Sequence, residues 1–149
     1  MNDRLEAMPV RFLLHMVGEA AVGDRNKFEG PMGGRYMSTP TAGGVFEGPG
    51  IKGKLLKGFS WAPHRMKAGL DYGHLQYDAR VLLLTDDGCR ILARWHGANS
   101  PTYADGSWRV GAVFEAEAGP HAWLNQVVAI GVGHKVGADV DYMFYEVAC

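Results

Sequence analysis

Short runs rich in Val, Leu, Phe, Tyr and Trp recur along this chain between Gly, Pro and Asp signals, and no segment repeats its apolar residues at the helical period. The runs stand roughly 8–12 residues apart, the spacing of all-β domains. Glycine points the same way. Twenty-one glycines spread over 149 residues without a fixed period suit turns and bends, whereas each would cost about 1 kcal/mol inside a helix.

The strands read as Val10 to Met16, Gly43 to Glu47, Ile51 to Leu56, Leu75 to Thr85, Arg90 to His96, Trp108 to Glu117, Trp123 to Val132 and Val140 to Val147. Gly48-Pro49-Gly50 turns the second into the third. Asp86-Asp87-Gly88 makes the strongest hairpin signal and predicts positive φ at Gly88. A loop is expected from Gly97 to Gly106, and the irregular stretch Gly18 to Pro40 reads either as a cover over a binding site or as an excursion without a role. Phe-Glu-Gly-Pro occurs at Phe28 and again at Phe46, a local echo, since a solenoid needs at least three units.

A sheet without covering helices must fold over as a sandwich or curl into a barrel. Glycines at 43, 44, 48, 50, 53 and 58 supply the bending that closure needs. The expected architecture is therefore all-β: one antiparallel β-barrel over residues 1–149, of about eight strands, with an interior that holds one small ligand.

Bulk properties narrow the function. Fifteen basic and sixteen acidic residues give a net charge of −1 with no basic cluster, which argues against nucleic acid as a partner. The first fifteen residues lack a cationic start followed by an apolar run, so no secretory signal is expected. Val127 to Gly133, the longest weakly polar stretch, is too short to span a bilayer, so no membrane partner is expected either. Two cysteines, Cys89 and Cys149, are too few for a disulfide framework, and a cytoplasmic location follows. The expected partners are a small-molecule ligand or substrate and further copies of the chain, in a homodimer or higher homo-oligomer. No metal is expected, because no His or Cys pair has zinc-site spacing, and without a P-loop or dinucleotide motif no cofactor is expected.

Alternation in Leu75 to Thr85 puts Gln76, Asp78, Arg80, Leu82 and Leu84 on one face. That face runs from polar to apolar, as an inner wall would from mouth to floor. Asp78 as an ionised base beside Arg80 is one reading; a solvated surface pair worth under about 1 kcal/mol is the other. His96 closes its strand before a Gly-rich loop, a position suited to proton transfer, though a structural or exposed imidazole is the reading with the greater weight. Asn125 shares a strand face with Trp123, presenting an amide beside an aromatic, though a Trp more often fills core. Glu47, Trp61, Trp95, Phe114 and Trp123 are the expected substrate contacts.

The chain resembles the DUF3237 family, also called UPF0311, from about Gly43 to Val147. The resemblance rests on Gly43-Gly44-Val45-Phe46-Glu47-Gly48-Pro49, on Tyr77-Asp78-Ala79-Arg80 leading into Leu84-Thr85-Asp86-Asp87-Gly88, and on Trp123-Leu124-Asn125 with Ile130-Gly131-Val132-Gly133. It implies a calycin-like barrel whose pocket is lined by the Asp-Ala-Arg and Trp-Leu-Asn segments. Two positions depart from the family pattern: Gly58-Phe59-Ser60-Trp61 lacks the usual Asp before Trp, and Val81 replaces an aromatic.

Two functions compete at this stage. One is a cofactor-independent isomerase, cyclase, lyase or hydrolase for a small apolar oxygenated metabolite such as a polyketide, terpenoid or aromatic compound. In it Asp78 acts as base, Arg80 and Asn125 stabilise an oxyanion, and His96 returns the proton. The other is a non-catalytic carrier of lipocalin type. Whether Asp78 faces the cavity discriminates between them.

Overall fold

The computed structural model describes residues 7–29, 34–60, 64–67, 75–99 and 105–148. Among the described residues eleven strands follow one another: β1 (Val10–Ala20), β2 (Asn26–Glu29), β3 (Gly34–Ser38), β4 (Thr41–Gly48), β5 (Ile51–Ser60), β6 (His64–Lys67), β7 (Leu75–Thr85), β8 (Arg90–Asn99), β9 (Trp108–Ala116), β10 (Val128–Val136) and β11 (Asp139–Val147). All pairings are antiparallel. Eight strands close a ring in the order β7, β5, β4, β1, β11, β10, β9, β8, and the β8–β7 ladder completes it. The all-β barrel expected from the strand pattern is thus the fold.

The remaining strands prolong the ring at one end. β5 leaves β7 at Ser60↔Val81, and β6 takes over the same edge at Arg65↔Gln76. β3 pairs with β6, and β2 pairs with β3. Here the sequence reading is corrected. Gly18 to Pro40 is not a single irregular loop: β1 runs on to Ala20, a 3₁₀ turn covers Val22–Asp24, and two short strands follow. Those strands are only four and five residues long, too short for their alternation to stand out between glycines.

Other boundaries move as well. β8 continues to Asn99, into the expected loop, and the expected strand Trp123 to Val132 begins instead as a 3₁₀ turn, Ala122–Gln126, before β10. Between β7 and β8, Gly88 takes φ +88° as its turn requires.

Glycine makes the closure possible. A Cβ on Gly44 would lie 2.1 Å from the Val17 carbonyl oxygen, and one on Gly97 would lie 1.9 Å from that of Arg109. Neighbouring backbones therefore approach more closely at these points than any side chain permits.

The ring encloses the core. Leu14, Met16, Leu83, Ile91, Ala93, Ala129 and Phe144 are essentially fully buried. Toward the β2–β3–β6 end lies an aromatic layer of Trp95, Trp108 and Tyr142; toward the other lie Phe114 and Phe144, closed over by Leu124 of the second 3₁₀ turn. The hairpin turn between β4 and β5, that between β7 and β8, and the β9–β10 connection share this closed end.

Candidate functional site

On β7 the inward residues are Ala79, Val81, Leu83 and Thr85, whereas Asp78 and Arg80 are exposed on the outer wall. The expectation that Asp78 and Arg80 line the cavity is therefore corrected. The uncharged face turns inward, because burying an Asp and an Arg without a full set of partners costs several kcal/mol per charge. Register does bring the named groups together, outside. Asp78 stands directly across from His96, and Arg80 from Arg94, whose guanidinium lies 3.7 Å from Glu115. His96 is exposed as well.

The other expected residues scatter. Asn125 is committed to the backbone: its Oδ1 accepts from the Ala116 N–H at 2.7 Å and its Nδ2 donates to the Ala116 carbonyl at 3.1 Å, fastening the 3₁₀ turn to β9. These are the two groups from which an oxyanion role was expected. Trp123 is 42% exposed at the closed end. Glu47 is exposed on β4, in register with His15 and Lys52. Trp95 and Phe114 are buried core residues. Trp61 lies outside the described residues.

The barrel interior holds a polar arrangement that alternation alone did not single out. Trp95 Nε1 donates to the Tyr142 hydroxyl at 3.1 Å and Trp108 Nε1 donates to the same oxygen at 2.9 Å. Both indoles meet the phenol edge to face, with centroids 5.1 and 5.8 Å apart. Gly133 leaves them room, since a Cβ there would lie 2.2 Å from Trp108 Nε1. Burial pushes the Tyr142 hydroxyl up to about 12, against the opposing effect of the two indole bonds, so the phenol stays protonated near neutrality. Two N–H donors occupy its lone pairs. Its own proton has no acceptor among the described residues. Tyr142 is 6% exposed against 0% for Phe144 beneath it.

A second polar cluster sits at the closed end. His121 Nε2 lies 2.8 and 3.0 Å from the two Asp87 carboxylate oxygens, and the Thr85 hydroxyl bonds the same carboxylate. The Thr85 hydroxyl and then His121 hold Asp87 below the usual carboxylate range. Beside it the buried Cys89 thiol is pushed up by its burial, which makes it a poor nucleophile. On the outer wall His15 Nε2 lies 2.9 Å from Asp141. Among the described residues no group of three or more His, Cys, Asp and Glu side chains is arranged to hold a metal.

The comparisons with known proteins fit this barrel. The family model for DUF3237, described as a protein of unknown function, matches residues 10–147. The chain belongs to the DUF3237 family. A β-barrel-like protein from Acinetobacter baumannii AYE is 22% identical, with a TM-score of 0.84 over 99% of this chain and 100% of its own. A conserved protein of unknown function from Rhodopseudomonas palustris is 18% identical, with a TM-score of 0.82 over 97% of this chain and 100% of its own. An enzyme from Penicillium herquei is 21% identical, with a TM-score of 0.71 over 98% of this chain and 100% of its own. No curated protein matches the chain. These likenesses show the fold. No helix among the described residues is long and apolar enough to cross a membrane.

Proposed function

We propose that this DUF3237 chain is a cofactor-independent enzyme that polarises a carbonyl-type oxygen of a small, largely apolar metabolite at the barrel mouth. Tyr142 is its hydrogen-bond donor. The carrying observation is that two indole N–H groups occupy the phenol oxygen and leave its proton to donate. A hydroxyl so placed can only give a hydrogen bond, so it selects a ligand with an acceptor and stabilises charge that develops there. The described inner wall offers that ligand apolar surface and no charged partner, which favours a neutral molecule. Isomerisation, cyclisation, elimination and hydrolysis can each begin from such polarisation. That a protein of the same fold is an enzyme in Penicillium herquei supports the reading.

The outward Asp78 favours a second reading, a carrier with the same pocket and no chemistry, because the base read from the sequence does not face the cavity. The test is a panel of neutral cyclic ketones and lactones, screened by indole fluorescence for binding and by NMR in heavy water for deuterium exchange or ring opening. Conversion abolished in Tyr142→Phe supports the enzyme; binding without conversion supports the carrier.

A further inference from the structure

The outer wall of the barrel is apolar around β11, the strand that stands opposite β7 in the ring of eight. Phe12, Tyr145 and Ile130 form one outward cross-strand row over β1, β11 and β10, and Phe12 meets Tyr145 edge to face. Beside them Val128 of β10 pairs with Val113 of β9, at 56% and 41% exposure. β10 is thus apolar outside as well as in, the pattern of a strand covered on both faces. A contiguous exposed patch of this kind marks an interaction surface.

Charge frames the patch in a definite order. The next row reads Glu47 on β4, His15 on β1, Met143 on β11, Val132 on β10 and Arg109 on β9. A carboxylate closes one end and a guanidinium the other, with β11 in the middle. Arg109 also donates to the Ser107 hydroxyl at 2.8 Å. Beyond this row the wall turns polar: Asp141 lies 2.9 Å from His15, and His134 lies 3.5 Å from Asp105.

We infer that this wall is the interface of a homodimer, in which a second copy of the chain is related to the first by a two-fold axis along β11. That axis lays β9 of each copy over β4 of the other. Arg109 then meets Glu47 of the partner subunit, and the same pair forms again on the far side of the axis. Phe12 packs on Ile130 of the partner subunit. A two-fold interface demands this kind of self-complementarity, and an apolar centre inside a polar rim is its usual anatomy. From β4 to β9 the wall is five strands wide, and it runs from Val10 to Val17 along β1. At ordinary strand spacings it measures roughly 24 by 27 Å, on the order of the footprint that a stable dimer needs, about 800 Å² per partner.

The test is analytical ultracentrifugation of the full chain over a series of micromolar concentrations, with folding of every variant checked by circular dichroism. Wild type should sediment as two chains and dissociate on dilution. Val128→Lys puts an ammonium into the apolar wall and should raise the dissociation constant about a hundredfold. Glu47→Arg sets a second cation against Arg109 of the partner subunit and should raise it about tenfold, less at high salt. Adding Arg109→Glu to Glu47→Arg should recover most of that loss, because the pair is restored with its signs exchanged. Asp78→Asn, on the opposite wall, should leave the dimer as it is. A monomer throughout the series, a dimer that Val128→Lys and Glu47→Arg both leave intact, or a folded double variant without recovery overturns the proposal.

Discussion

Trp95 Nε1 lies 3.1 Å from the hydroxyl oxygen of Tyr142 inside the barrel. This bond bears on stability as well as on function. In Tyr142→Phe the Trp95 indole loses its acceptor while it stays buried, which should cost about 1–3 kcal/mol. Chemical denaturation should show a lower midpoint with an unchanged slope, because the barrel still closes.

The outer-wall position of Asp78 gives the opposite expectation. Asp78→Asn should leave both stability and any conversion at the mouth nearly unchanged, stability within about 0.5 kcal/mol, as for most exposed substitutions. Loss of turnover in this variant, with folding intact, would return the reaction to the Asp78–His96 face.

Asp105 gives the clearest pH dependence. The Ser107 hydroxyl and backbone N–H, with a smaller contribution from His134, lower its carboxyl from 3.8 to about 2. Its native contacts favour the charged form, so the stability they contribute is complete above the unfolded value and is lost as pH falls through the folded one. Melting temperatures of wild type and Asp105→Asn should differ at neutral pH and converge as pH falls from 3.8 toward about 2. A constant gap would contradict this account.

Two glycines should separate closure from composition. Gly44 combines φ +145° with a Cβ position 2.1 Å from the Val17 carbonyl oxygen, so Gly44→Ala should destabilise by about 3 kcal/mol or more. Gly111 has open space around its Cβ position, and Gly111→Ala should stay within about 1 kcal/mol.

The barrel was legible because strand alternation and glycine spacing are local signals that survive folding, and the hairpin at Gly88 was legible for the same reason. The orientation of β7 was not. Leu82 and Leu84 made the Asp78–Arg80 face look like an inner wall, although the cost of burying its two charges keeps it outside and turns Ala79, Val81 and Leu83 inward. The placement of Asn125 was not legible either, because a 3₁₀ turn stands where a strand start was expected and its amide bonds Ala116. Tyr142, Trp95 and Trp108 come from three separate strands, and nothing in their spacing announces that one hydroxyl takes both indoles. His121 and Asp87 are likewise joined only by two turns meeting at the closed end.

In the proposed function the Tyr142 proton polarises a ligand oxygen. The most direct measurement is the rate at which wild type and Tyr142→Phe convert a ligand found in the ketone and lactone screen, with folding of both checked by circular dichroism. The predicted result is a fall of about 10²–10³ in kcat, the usual cost of removing one oxyanion donor, with a smaller change in KM. Full activity in the folded Tyr142→Phe variant would contradict it.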